Sequence, residues 1–288
     1  MTDIAEGRDL VLGVDPTGTG ELALAWAVDE ADRRKVRLRL VTAVPFPHDT
    51  QHVDDGPQQD ALRQAGKDAL RKAAEWAYTR HPDVELTLDL LAGAPAPVLC
   101  KLSRRARMVI LGSRHLSRMR EVLDGGSVVL PVTARAQCPV VVVGDAEHVT
   151  QEPAYLVVGV DGSEPSNAAI DLAFREASLR GCALRAVSVW HPPAFSFADD
   201  SAARHAQRRM LSEAVAGWSE QFPDVALTHE VIIGHPVEAL AEAAEHALAL
   251  VVGRRGSGGY TGMLLGSVVH GLLHRAHCPL ITTPTAPR

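Results

Sequence analysis

The segment Gly253-Arg-Arg-Gly256-Ser-Gly-Gly-Tyr-Thr-Gly-Met-Leu-Leu-Gly266-Ser267 has the pattern Gly-x2-Gly-x9-Gly-Ser. Glycines at such positions let backbone N–H groups approach a phosphate closely. A helix opening at Ser267 would add free N–H groups and a partial positive charge. Arg254 and Arg255 bring formal charge, and Ser267 either caps the helix or donates to an oxygen. Composition alone favours a flexible surface loop. The position after the apolar run Leu250-Val-Val-Gly253 favours a phosphate cradle. Asp161 ends an earlier apolar run, Leu156-Val-Val-Gly-Val160. Its carboxylate either accepts from an adenine amino group or a ribose hydroxyl, or caps the next turn.

These segments belong to an internal repeat. Leu10-Val-Leu-Gly-Val-Asp15 matches Leu156-Val-Val-Gly-Val-Asp161, and Glu30-Ala31 matches Glu176-Ala177. Gly93-Ala-Pro95 matches Gly234-His-Pro236, and Val109-Ile-Leu-Gly112 parallels Leu250-Val-Val-Gly253. Ser127-Val-Val129 matches Ser267-Val-Val269, and Gln137-Cys-Pro-Val140 matches His277-Cys-Pro-Leu280. The shared order implies two tandem domains, residues 1–146 and 153–288, joined by a polar stretch. A length of 288 residues with 46% hydrophobic content is enough for two ordinary cores.

The elements that must hold the loop follow from periodicity. Leu156–Val160 is nearly continuous Leu and Val, as in a strand buried on both faces. Ala169, Leu172, Ala173 and Ala177 then share one face of a helix, with Asn167, Asp171, Arg175 and Ser178 opposite. A second strand is expected near 184–190, a long helix near 202–222 and a third strand near 225–233. A helix is expected to open at Pro236, a fourth strand to end at Gly253, and a helix to start at Ser267. The first half repeats this order, with its long helix near 59–81 and its third strand near 84–91. The order βαβαβαβαβ predicts an α/β fold: a parallel, doubly wound sheet with right-handed crossovers. Ligands of such sheets bind beyond the strands' carboxyl ends, where the strand order reverses.

The first-strand Asp, the Gly-x2-Gly-x9-Gly-Ser loop and the Cys-Pro before the last strand together resemble the universal stress protein family, here as two tandem copies. The resemblance implies Rossmann-like domains, each with five parallel strands in the order 3-2-1-4-5. It also implies ATP as ligand, with or without Mg2+. By the same resemblance Asp161 faces adenine with Val189 beside it. Gly253, Arg255, Gly256, Gly266, Ser267 and Val268 then surround ribose and phosphates. The first half departs from the pattern. His115 stands where the second glycine belongs, and Gly112 to Ser127 is one residue longer. His115 either blocks the phosphate or hydrogen-bonds to it. Asp15, Gly112, Gly126 and Ser127 remain as nucleotide-binding candidates in that half. The family also implies pairing through the last strand, as a homodimer or between the two halves.

Other signals are weaker. Gly18-Thr-Gly20-Glu-Leu-Ala23 mimics a dinucleotide fingerprint, but Val44-Pro-Phe-Pro47 stands where its acidic residue should follow. No Gly-x4-Gly-Lys-Ser/Thr sequence exists. His270 and His274 have a metal-compatible spacing, yet a solvated or partly packed helix face is the favoured reading. Cys100, Cys138, Cys182 and Cys278 form no Cys-x-x-Cys pair, so zinc and redox chemistry are not signalled and a reducing cytoplasm is expected. The net charge of -6 offers no long-range attraction for nucleic acid or anionic lipid. The acidic first nine residues do not read as a signal peptide, and no apolar run of about 18 residues suggests a membrane span.

The resulting expectation is a cytoplasmic, ATP-binding stress or regulatory protein with an unnamed protein partner, rather than a dedicated catalyst. Two alternatives stay open. An adenine-nucleotide hydrolase or transferase on the same fold would release phosphate over many turnovers. A nucleotide-independent dimeric interaction module would show no ATP-dependent thermal shift.

Overall fold

The computed structural model describes residues 9–18, 20–45, 56–113, 128–144, 148–191, 201–258 and 263–285. The chain divides into two compact units, Met1–Asp145 and Ala146–Arg288.

In the first unit the order is β1 (Asp9–Gly13), α1 (Glu21–Arg34), β2 (Leu38–Val44), α2 (Gly56–Arg80) and β3 (Leu86–Ala92). It continues with α3 (Pro95–Leu102), β4 (Ala106–Gly112), α4 (Val129–Arg135) and β5 (Val140–Val143). All neighbours pair in parallel, in the order β3-β2-β1-β4-β5. Leu10 lies opposite Leu38 on one side and Met108 on the other, and none of the three is more than 1% exposed.

The second unit repeats the plan. It runs β6 (Tyr155–Gly159), α5 (Glu164–Arg180), β7 (Ala183–Trp190), α6 (Ser201–Gln221) and β8 (Leu227–Ile233). Then come α7 (Pro236–Ala243), β9 (Leu250–Gly253), α8 (Ser267–Arg275) and β10 (Leu280–Thr283). The parallel order is β8-β7-β6-β9-β10. Each unit is therefore a Rossmann-like, five-stranded parallel sheet of order 3-2-1-4-5. Helices cover both faces, so Leu156, Val157 and Val158 are all fully buried, and this is why the run carries no polar alternation.

Local chemistry sets the ends of α5. Ser163 is its N-cap and accepts from the Ser166 N–H, Pro165 occupies the first turn, and Gly181 closes it in the left-handed region at φ 62. Its buried face holds Ala169, Ile170, Ala173, Phe174 and Ala177, whereas Leu172, expected in the core, is half-buried. Phe174 sets the helix's position by stacking on Trp218 of α6 and on Phe222 just after it, with ring centroids 5.9 and 5.8 Å away. Glu176 is buried against Arg180 one turn on.

Boundaries moved by a few residues. The helix expected at 59–81 spans Gly56–Arg80, and the strand expected from 225 begins at Leu227. The first-unit helix expected to open at Ser127 is seen as Val129–Arg135, Ser127 itself lying outside the described residues. Among the described residues no helix is long and apolar enough to cross a membrane.

Candidate functional site

The strand order of the second unit reverses between β6 and β9, and a cavity of about 430 Å3 opens at the carboxyl ends of β6, β7 and β9. Ligand pockets usually span about 300–1,000 Å3. β6 leads into the cavity through Val160, whose N–H donates to the Val187 carbonyl at 2.8 Å, and Asp161 follows.

Asp161 performs the turn-capping role and a second one. Its Oδ1 accepts from the Ser163 N–H at 3.0 Å and the Ser163 hydroxyl at 2.6 Å. Its Oδ2 accepts from the Ser257 N–H, across the cavity floor in the glycine loop, at 2.6 Å. Burial pushes the carboxyl pKa up. The hydrogen bonds from Ser163 and Ser257 outweigh it and hold the group below its ordinary value. Asp161 is thus a fixed anion at neutral pH.

The glycines have local causes. A Cβ at Gly253 would lie 2.8 Å from the backbone carbonyl carbon and oxygen of Pro165, so the end of β9 touches the first turn of α5. A Cβ at Gly256 would collide with Asp161 Oδ2. Gly266 donates its N–H to the Arg254 carbonyl at 3.0 Å and so closes the base of the loop. Gly266, not Ser267, is the N-cap of α8, and it makes no side-chain cap bond. Ser267 is instead the first helical residue and is exposed, which leaves the other sequence reading, donation to an oxygen, for its hydroxyl.

All eight candidates of the second unit border this one cavity. Asp161 and Val189 lie at the β6 and β7 side. Gly253, Arg255 and Gly256 follow β9, and Gly266, Ser267 and Val268 open α8. Arg255 is half-buried and donates Nε to Thr285 Oγ1 at 3.2 Å. The cavity therefore joins two kinds of group. The Asp161 carboxylate lies against the glycine loop through Ser257, and the loop's backbone, the α8 N-terminus and the Arg255 guanidinium border the same space.

Sequence reasoning missed several wall residues: Ser166, Trp190, His191, Gln207 and Pro236. His191 and His235 meet edge to face, with centroids 5.7 Å apart. Gln207 reaches the cavity from α6, where its Nε2 donates to Ser188 Oγ at 2.7 Å. No motif marks it.

The first unit has a cavity of about 290 Å3 in the equivalent place, bordered by Asp15, Gly112 and Val128 among others. Asp15 Oδ1 accepts from the Thr17 N–H and hydroxyl, each at 2.8 Å. Gly112 has room for a Cβ, its nearest neighbour being Ala23 Cβ at 3.7 Å. Gly126, Ser127 and His115 lie outside the described residues. On α8 the rings of His270 and His274 sit 5.3 Å apart on an exposed face. Among the described residues no three His, Cys, Asp or Glu side chains gather as a metal site.

Known proteins share this plan. The family model of the universal stress protein family matches residues 7–144 and 155–284. The universal stress protein Rv2005c of Mycobacterium tuberculosis is 34% identical, over 98% of each chain. The universal stress protein Rv2623 of the same organism is 35% identical, over 94% of this chain and 95% of its own. A universal stress protein from Archaeoglobus fulgidus DSM 4304 shares the fold over 98% of both chains, with a TM-score of 0.75 at 17% identity. Two family matches in sequence order, relatives matched nearly end to end, and two repeats of one sheet agree: the chain belongs to the universal stress protein family and carries two of its domains in tandem.

Proposed function

We propose that the second unit binds an adenine nucleotide, ATP with or without Mg2+, and that the protein is a cytoplasmic regulator of the stress response rather than a dedicated catalyst. One observation carries this reading: Asp161 and the glycine loop after β9 border the same cavity and are hydrogen-bonded to each other. The base would lie at the β6 and β7 side, against Asp161 and Val189. The phosphates would lie over Gly253, Arg255 and Gly256, and against the α8 opening at Gly266, Ser267 and Val268. N–H groups there suit an anion, and Mg2+, where bound, would travel with the phosphates. All four cysteines are free thiols, in keeping with a reducing cytoplasm. A homodimer and a protein partner complete the reading.

The test is to denature the purified chain, identify any released nucleotide by mass spectrometry and count moles per chain. One ATP per chain is the expected result. Two would bring in the first unit through Asp15, Gly112, Gly126 and Ser127. Folded protein that gives no calorimetric heat with millimolar ATP and magnesium would overturn the proposal.

A further inference from the structure

Resting on that nucleotide site, we infer that Gln207 selects a 6-aminopurine base over a 6-oxopurine, accepting from the exocyclic amino group through Oε1.

The position of Gln207 within the cavity comes first. The sheet order puts β7 on the opposite side of β6 from β9. Gln207 is tied to β7 through Ser188, so it stands at the end of the cavity away from the glycine loop and the α8 opening. A nucleotide with its phosphates over that loop has its base at the β7 end.

The direction of the carboxamide comes second. Ser188 is fully buried and alternates along β7 with Val187 and Val189, which border the cavity. Its hydroxyl therefore turns toward α6, where it accepts from Gln207 Nε2. With Nε2 engaged, the free end of the amide is the acceptor Oε1. That acceptor suits an amino group on the base. A keto oxygen at the same ring position would face it with no proton between, and an unmatched buried polar group is costly.

The first unit provides an internal contrast. Val14 N–H donates to Val41 O just as Val160 N–H donates to Val187 O, so Thr42 is the counterpart of Ser188. Against Thr42 the helix α2 presents Gly66. A Cβ there would lie 2.7 Å from Leu90 Cδ1 and 3.1 Å from Thr42 Cγ2. Helix and sheet are too close at that point for any polar arm, so the Ser188–Gln207 pair is particular to the second unit.

The experiment compares ATP with inosine triphosphate, which carries a keto oxygen where ATP carries the amino group, by titration calorimetry on the full chain. Wild type is expected to prefer ATP. Gln207→Leu is expected to cut the ATP-to-inosine-triphosphate affinity ratio by about tenfold, the scale of one hydrogen bond plus the lost mismatch. Gln207→Glu keeps an acceptor and is expected to keep the ratio. Ser188→Ala frees the amide to turn over and is expected to lower the ratio by about threefold, which serves if Gln207→Leu folds poorly. An unchanged ratio in Gln207→Leu and Ser188→Ala, or equal losses for both nucleotides, overturns the assignment while leaving the nucleotide site intact. Wild type that binds neither nucleotide overturns the site itself.

Discussion

Asp161 and Ser257 lie 96 residues apart in sequence and 2.6 Å apart in space, carboxylate oxygen to backbone nitrogen. The end of β6 and the glycine loop after β9 therefore hold each other in place, and the cavity between them is shaped before any ligand arrives.

Gly256 is where that relationship can be broken with one methyl group. Its Cβ would collide with Asp161 Oδ2. Gly256→Ala is expected to weaken ATP binding by at least about tenfold, yet to cost less than about 1 kcal/mol of stability, because the residue is exposed. Calorimetry and urea melts measure the two effects. Unchanged affinity would show that the carboxylate yields without consequence.

The lowered pKa of Asp161 has a pH signature. A carboxyl held below its unfolded value stabilises the fold at pH values above that unfolded value, and the benefit is lost as pH falls through the folded pKa. Asp161→Asn removes the titration. The stability gap between wild type and Asp161→Asn is expected to be full at pH 7, to shrink below about pH 4 and to go on shrinking as the folded carboxyl takes up its proton. Urea midpoints across that range give the answer, and a gap independent of pH would contradict it.

Arg180 neutralises a carboxylate with almost no water around it. The Glu176 side chain is 2% exposed and that of Arg180 7%. Arg180→Leu leaves the charge buried and is expected to cost about 3–5 kcal/mol in chemical denaturation. Adding Glu176→Gln to it is expected to recover a large part of that loss. Additive losses would mean that the pair is not coupled.

Thiol reactivity separates the cysteines. Burial pushes the Cys138 and Cys278 thiols up to about 12, so both stay protonated at pH 8 and unreactive. Cys182 is buried as well, and only Cys100 is half-buried. Native protein titrated with a disulfide reagent at pH 8 is expected to show one fast thiol, and unfolded protein four. Fast modification of Cys138 or Cys278, located by peptide mapping, would contradict the burial argument.

Legibility in the sequence followed how local each cause was. β6 and Asp161 were readable because a doubly buried strand must be continuously apolar and must stop at its polar end. The glycine loop was readable as a spacing, yet two of its glycines answer to neighbours, Pro165 and Asp161, that spacing cannot reveal. The α5 stripe was placed one step off. Leu172 fits a 3.6-residue period, but Ile170 and Phe174 take the interior, where Trp218 of α6 and Phe222 just beyond it stack on the Phe174 ring. Glu176 reads as a solvated charge until Arg180 is seen lying over it. Gln207 carried no signal, since its role depends on one hydroxyl on another element.

Ser163 serves two structures with a single hydroxyl, donating to Asp161 and accepting from the Ser166 N–H that opens α5. Any guest that draws the carboxylate toward itself therefore also disturbs the first turn of that helix. Occupancy of the crevice becomes legible at a distance, as a change in how fast the amide protons of Ser166 and Asn167 trade with deuterium. A surface helix end can in this way report to the outside what sits within.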